Sequence, residues 1–421
     1  MRILLCSLTI CLLPTWLFAD TLTLEKCLDL AQERNPALRL SRIDTTIAAE
    51  AVRQSDASMF PRIDAQGGYT AQLESQAMKI NGQIMETQQP SYLYGNLSMQ
   101  YTLYDFGRRD ARRSIARSSA DTVQQKLRQQ EHDVRLQVVE NYLAILEAQK
   151  HVVTATEELQ MVSEHRRVAL ALYEAGSTTR NDLLQADVRL SNARQQLLIR
   201  RNQADNLYLH LNFLLGLPAT DRPSLSEPAV HSVQQTTDSD ASKALQQRPD
   251  LRALRTNVTI GEQEVRESRT AFYPELFSRI SLDYLENDKL REQTIYSASA
   301  GIKINLFDGF SSTSNRSKAV AIHARAKEQL HLAEEQARLE IATFRNDLHI
   351  AFERIAVTKE SILQGKENLR INQNRYQERV GTATEVLDAQ TMLTQTQTEH
   401  FRAIYDYQLA AARLRKATGQ L

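Results

Sequence analysis

From Arg108 to Tyr173 the chain runs 66 residues without a proline or a glycine, and Gln, Arg, Glu, Ala and Leu dominate the run. Such a stretch is predicted to be one uninterrupted helix, about 99 Å long at about 1.5 Å per residue. It belongs to a pattern that occurs twice. Pro36, Leu38, Val52, Arg53, Ser55, Phe60-Pro61 and Tyr69 return as Pro249, Leu251, Val265, Arg266, Ser268, Tyr273-Pro274 and Leu282, displaced by 213 positions. Beyond Leu103-Tyr104-Asp105, answered by Leu306-Phe307-Asp308, the displacement is 203, and it carries Tyr173 to Tyr376 and Leu184 to Leu387. The difference of ten places an insertion between Tyr69 and Leu103. Two copies of one pattern predict pseudo-symmetric halves of a single architecture.

Each half reads short helix, two strands, long helix, second helix. The first repeat, 20–216, holds a short helix over about 36–59, a β-hairpin over 61–105, the long helix 108–173 and a helix over 180–215. A linker over 217–245, carrying Pro218, Pro223 and Pro228, reads as irregular. The second repeat, 246–421, gives a short helix over about 249–272, a β-hairpin over 274–307, a long helix over 311–378 and a helix over 383–418. Short and medium helices of about 36 and 54 Å, laid end to end, nearly match the long one. Paired rods of equal length are therefore expected in each half.

The packing seam is of coiled-coil type. Leu183, Leu190, Leu197, Ala204 and Leu211 recur every seven residues, with Ala186, Ala193, Leu207 and Leu214 beside them. Val386, Leu393, Tyr407 and Leu414 repeat the seam in the second half, interrupted by His400. Helices polar away from their seam are wetted there, by bulk water or by a channel. Periodicity alone leaves an ordinary antiparallel coiled coil open.

The strand segments alternate. Ile63, Ala65, Tyr69, Ala71 and Leu73 interleave with Arg62, Asp64, Gln66 and Gln72, and Leu93, Leu97, Met99 and Leu103 with Asn96, Ser98, Gln100 and Thr102. Leu276, Ile280 and Leu282 likewise face away from Arg279, Ser281 and Asp283, and Ala298, Ile302, Ile304 and Leu306 from Ser297, Ser299 and Lys303. Eight of the 14 tyrosines lie in or beside these segments. That is the pattern of a membrane barrel with a watery lumen and interfacial aromatic girdles. A soluble sandwich also alternates, but four strands cannot close a barrel and the chain offers no second sheet. Several copies, each donating four strands, are expected.

Arg2, the apolar run 3–18 and Leu17-Phe18-Ala19 read as a signal peptide over 1–19, cut after Ala19. Past it, only Cys27 remains of the cysteines and no stretch is apolar enough for a spanning helix. Basic and acidic residues balance at 51 each, which speaks against nucleic acid as a partner. The nine histidines are scattered, and neither a phosphate loop nor a nucleophile elbow is present. No enzymatic activity, cofactor or metal is expected.

The chain resembles the outer-membrane efflux protein family, the TolC-like exit ducts, along essentially its whole mature length. The likeness rests on Asn35-Pro36-Ala37-Leu38, Phe60-Pro61, Leu103-Tyr104-Asp105-Phe106-Gly107, Tyr173-Glu174-Ala175-Gly176, Leu211-Asn212-Phe213-Leu214-Leu215-Gly216, Leu306-Phe307-Asp308-Gly309 and Val386-Leu387-Asp388-Ala389-Gln390. The resemblance implies a mainly α protein with a membrane β portion, a homotrimer whose 12-stranded outer-membrane β-barrel continues into a periplasmic α-helical barrel. It implies a periplasmic adaptor protein, an inner-membrane pump of RND, ABC or MFS type and outer-membrane lipid as partners, in efflux or type I secretion. A periplasmic coiled-coil adaptor of the same kind of assembly is the alternative, although such a protein carries one hairpin between β halves.

On this footing the turns between paired helices are the candidate site. Glu385 and Asp388, at i and i+3, share a helix face. Similarity to the ducts implies that three copies form two acidic rings at the periplasmic constriction. The alternative is a solvated helix N-terminus, where acids are stabilised anyway. Asp182 and Tyr376 resemble a gating pair; the basic partner implied near Gly381 is missing, with Arg180 and Arg379 as candidate replacements. Gly176-Ser177-Thr178 and Val380-Gly381-Thr382 resemble adaptor-docking turns, and these glycines also serve to end helices.

Overall fold

The computed structural model describes residues 21–228, 244–378 and 380–421. The predicted leader, residues 229–243 of the predicted linker and Arg379 lie outside the described residues. The first half contains α1 (Leu24–Arg34), α2 (Pro36–Ala57), β1 (Arg62–Ala71), β2 (Ala77–Ile80), β3 (Gln83–Glu86), β4 (Ser91–Tyr104), α3 (Arg108–Glu174) and α4 (Arg180–Leu215). The second contains α5 (Pro249–Arg269), a 3₁₀ turn (Thr270–Phe272), β5 (Glu275–Leu285), β6 (Thr294–Lys303), α6 (Ser311–Gln377) and α7 (Ala383–Ala417). Both long helices, α3 and α6, have 67 residues. The fold is thus mainly helical with a four-stranded sheet, and the two displacements of the sequence relate its elements. Pro36 and Pro249 open α2 and α5, 213 apart, while Arg108 and Ser311 open α3 and α6, 203 apart.

The chain forms two compact units, one from the described parts of 1–39, 130–242 and 339–421, the other from those of 40–129 and 243–338. The first unit is helical. Cys27, Ala31, Leu38, Val138, Tyr142, Ile145, Leu211 and Leu215 pack into its core, and each large apolar side chain so buried contributes about 1.5–3 kcal/mol. Helical pattern and the proline place a helix start at Pro36; α1 precedes it because Cys27 and Ala31 supply a short apolar stripe.

The Asn35-Pro36 motif joins the helices. The Asn35 Nδ2 donates to Leu214 O (2.9 Å) while its Oδ1 accepts from Ala37 N (2.9 Å). It therefore caps α2 and satisfies a terminal carbonyl of α4 together. At the end of α4, Gly216 takes φ 63°, and a Cβ there would meet Arg34 Cβ at 3.0 Å. Glycine is required on both counts. The described start of the linker is not loose. Leu22 and Leu225 form a parallel bridge, and Tyr142 Oη donates its one proton to Ser226 O (2.6 Å), with Leu22 O 3.0 Å away.

The second unit carries the sheet, ordered β1-β4-β5-β6 and antiparallel throughout. Register aligns like with like across all four strands. Ile63, Met99, Ile280 and Ala298 form one row, and Asp64, Ser98, Ser281 and Ser297 form the next. The apolar rows find no cover among the described residues: Ile63 is 65% exposed, and Leu97, Ile280 and Ile302 are also open. That excludes a soluble sandwich core and fits a lipid-facing surface. No helix among the described residues is long and apolar enough to cross a membrane. At the strand–helix junction Phe106 meets Tyr104 edge-on and stacks on Tyr273, with centroids 4.7 and 5.1 Å apart, an aromatic cluster where an interfacial girdle is expected.

Sequence and structure differ at two places in this unit. The insertion between Tyr69 and Leu103, expected as a connection within one β-hairpin, holds a small hairpin of its own, β2–β3, with both turn residues, Asn81 and Gly82, at positive φ. And β6 stops at Lys303 although alternation continues to Leu306. There the Asp308 turn takes over, with Asp308 Oδ2 accepting from Ser312 N (2.9 Å) to cap α6. Asp105 does the same for α3 by accepting from Arg109 N (3.0 Å).

Candidate functional site at the helix turns

The two turns that reverse the long helices both lie in the helical unit. The first ends α3 in a Schellman turn. Ser177 N donates to Leu172 O (2.8 Å) and Gly176 N to Tyr173 O (2.9 Å), with Gly176 at φ 67°. Thr179 then opens α4 with a capping box. Its Oγ1 accepts from Asp182 N (3.2 Å), and Asp182 Oδ2 accepts from Thr179 N (3.1 Å). The same oxygen also accepts from the hydroxyls of Thr178 (2.6 Å) and Thr179 (2.8 Å). These donors hold the Asp182 carboxyl below the usual carboxylate range.

The second turn repeats the device 203 residues on. Val380 N and Gly381 N both donate to Arg375 O (2.9 and 3.0 Å). Thr382 Oγ1 accepts from Glu385 N (3.3 Å), and Glu385 Oε2 accepts from Thr382 N (3.1 Å). Asp182 and Glu385, read from sequence as a gating acid and a constriction acid, therefore occupy one structural position in the two repeats. The differences compensate locally. Where the first turn has Thr178 reaching a short aspartate, the second has Gly381, and a Cβ there would stand 3.1 Å from Glu385 Oε2. The missing side chain leaves room for the longer glutamate and for Arg375, whose Nη1 lies 3.7 Å from Glu385 Oε2.

Arg375 is thus the basic group the second turn uses, and sequence reasoning missed it because it sits ten residues back, across the turn. Arg180 is exposed and, among the described residues, makes no side-chain contact with either acid; Arg379 lies outside the described residues. The capping threonines, Thr179 and Thr382, were also missed, although T-x-x-D and T-x-x-E ahead of apolar runs announce them.

Asp388 stands one turn into α7, exposed, with no side-chain partner among the described residues. Its charge is fully available to solvent, unlike that of Glu385. Tyr376, like Met161, packs against the cluster of Leu369, Val386, Ala389 and Leu393, and its ring centroid lies 5.7 Å from that of buried His165. Burial, followed by the nearby Asp182 charge, raises the Tyr376 phenol; burial pushes the His165 imidazole down. Tyr376 and Asp182 are thus electrostatic neighbours, while the hydrogen bonds of Asp182 go to Thr178 and Thr179. Gly176, Ser177 and Thr382 are exposed, and Val380 presents an apolar side chain 71% exposed at the turn. Among the described residues no group of three or more His, Cys, Asp or Glu is arranged to hold a metal.

Comparison with known proteins places this geometry. The model of the family described as outer membrane efflux protein matches residues 27–217 and 241–420. The chain is similar to outer membrane protein TolC of Vibrio cholerae, 22% identical over 407 residues, spanning 93% of this chain and 89% of that protein. It is similar to the alkaline protease secretion protein AprF of Pseudomonas aeruginosa, 23% identical over 340 residues, with 77% of this chain and 69% of that protein covered. In fold it matches the crystal structure of the outer membrane protein VceC of Vibrio cholerae with a TM-score of 0.80 at 20% identity, covering 94% of this chain and 96% of that one.

Proposed function

Because this chain belongs to the outer membrane efflux protein family, whose members are exit ducts of the outer membrane, we propose that three copies assemble into one duct. Each copy donates its four strands to a shared barrel, and the long helices continue it as a periplasmic tunnel. One observation carries the reading: the sheet exposes apolar rows to its surroundings and leaves β1 and β6 each with a single strand neighbour. Open edges inside a bilayer are not tolerated, so closure must come from other copies. Exposed Leu184, Val188 and Leu198 along α4 supply an apolar stripe for the same contact.

The tip turns form the periplasmic end. Asp388, with Glu385 behind it, lines the constriction and favours cations. Asp182 and Tyr376 hold the resting closure, and Gly176, Ser177, Thr178, Val380, Gly381 and Thr382 receive a periplasmic adaptor. An inner-membrane pump of RND, ABC or MFS type feeds the duct, in drug efflux or in secretion of a polypeptide. A periplasmic adaptor would have no use for a lipid-facing sheet.

Cysteine substitutions on β1 and β6 test the assembly, because Cys27 is the single cysteine beyond the predicted leader and it is buried. Oxidation of the detergent-extracted outer-membrane fraction should give a covalent trimer. A soluble periplasmic monomer with no cross-linked species refutes the reading.

A further inference from the structure

At the end of the sheet away from the long helices, the face carrying Ser98 and Ser281 opens into a concavity of 510 Å³. That volume suits a small organic molecule. The lining has an uncommon chemistry for a wetted lumen. Tyr92 and Tyr94 supply aromatic surface, Leu290 and Ile295 an apolar wall, and Asp283 and Glu292 two carboxylates. None of the described residues lining it is lysine or arginine. Arg291 approaches Glu292 to 3.9 Å but is 95% exposed, so water screens the pair. Arg279, on the same face of β5 as Asp283, stands four residues along the strand and acts on that carboxylate electrostatically, so the site keeps a net negative charge through its second carboxylate, Glu292.

Two features organise these groups. Gly68 stands directly opposite Tyr94 in the β1–β4 register. A Cβ on Gly68 would fall 2.6 Å from Tyr94 Oη and 2.7 Å from its Cζ. The missing side chain thus lets the ring lie over β1, where any larger residue would lift it away. The Asp283 carboxylate is oriented from both sides: Asn96 Nδ2 donates to Oδ1 (2.5 Å) and Ser281 Oγ to Oδ2 (2.8 Å). Both oxygens keep a lone pair for a ligand.

We propose that this concavity binds amphiphilic organic cations, molecules with an onium headgroup and an apolar or aromatic body, at the outer mouth of the lumen. The inference rests on the exit-duct reading, since it places the site on the path out. Carboxylates with tyrosine rings hold a weakly hydrated cation, while Leu290 and Ile295 take up its apolar body. Two negative charges disfavour anions, and an inorganic cation leaves the apolar wall wet.

The probe is the fluorescent cation 4-(4-dimethylaminostyryl)-N-methylpyridinium, followed by anisotropy with the purified assembled protein over protein-free micelles. Saturable binding is expected, weakened about tenfold when Asp283→Asn and Glu292→Gln are combined. Glu292→Gln alone, on the connection between β5 and β6, should weaken it several-fold, and Tyr94→Leu should do likewise. Equal affinity for the uncharged styrylpyridine lacking the N-methyl group, or binding unmoved by these substitutions, overturns the proposal. Potassium chloride conductance of the unmodified protein in planar bilayers reads the duct separately. A conducting protein that does not bind the cation removes the site alone; a non-conducting one that binds it removes the site from any exit path.

Discussion

Glu385 and Asp388 face the same side of α7, yet their surroundings make them unequal, and that inequality can be measured. Glu385 accepts the Thr382 N–H at 3.1 Å and has Arg375 Nη1 at 3.7 Å, so much of its charge is answered locally. Asp388 is exposed with no side-chain partner among the described residues. For a cation on the axis on the order of 8 Å from each of three carboxylates, Coulomb attraction in water is about 1.5 kcal/mol in total. Screening at 0.1 M salt reduces this to roughly 0.7 kcal/mol, or about threefold in local cation concentration. Because anions are depleted by the same factor, Asp388→Asn should lower the cation-to-anion permeability ratio about tenfold at 0.1 M salt and more at lower ionic strength. Glu385→Gln removes the same unit of charge and uncovers Arg375, so it lowers the ratio as well; the local pairing is read instead from Arg375→Gln, which leaves the Glu385 charge unanswered and should raise the ratio. Reversal potentials in planar bilayers under a potassium chloride gradient decide the matter. An unchanged ratio in Asp388→Asn, or a ratio that falls in Arg375→Gln, refutes the assignment.

Asp182→Ala removes an acceptor that serves three donors, loosening the start of α4 by about 1 kcal/mol, and single-channel conductance should rise; unaltered conductance removes Asp182 from the closure. Because the Asp182 carboxyl sits below its ordinary range, its contribution is present above the unfolded value near 3.9 and is lost only as pH falls through the lower folded value. Hydrogen exchange at the Asp182 amide should accordingly be flat from about pH 7 to 4 once intrinsic rates are removed. His165 has the opposite sense. Its folded pKa is depressed by burial, so the packing it shares with Tyr376 weakens as pH falls below about 6.5, where the unfolded imidazole gains its proton first. His165→Phe should abolish that acid sensitivity in limited proteolysis of the turns. Finally, Tyr142→Phe strips the donor from Ser226 O and removes the hydroxyl beside Leu22 O, and should cost about 1–3 kcal/mol. Faster proteolysis at the linker measures it, and an unchanged cleavage rate counts against the clamp.

Much of the architecture was legible because two periodicities are written plainly. Ile63, Met99 and Ile280 obey a period of two and fall on one row of the sheet. Ala186, Ala193, Leu197 and Leu211 obey a period of seven, and all are buried. Other elements carried weaker or competing signals. The stripe of α1 offers few apolar contacts, and Pro36 drew the helix start to itself. Asn81-Gly82 is a hairpin signal by its left-handed preference, but the strands beside it, AMKI and QIME, have four residues each and are too short to show a period. Ile304 and Leu306 keep alternating after β6 has ended, since the turn built on Asp308, Gly309 and Phe310 overrides side-chain pattern. At the tip, residue types were readable while partners were not. Pairing of Arg375 with Glu385 depends on how the chain reverses, and no local spacing encodes it.

The two bare strand margins, β1 and β6, have a genetic consequence. If no copy can sit in the bilayer by itself, every duct samples its members from a common pool before insertion is complete. A variant that still joins but cannot conduct would then disable sound copies along with itself. Expressed at parity with the normal chain, it would leave only about one duct in eight free of defective members, for random mixing in threes. Harm well beyond half the activity, from a single faulty allele, is the mark such a closed ring would leave in a cell.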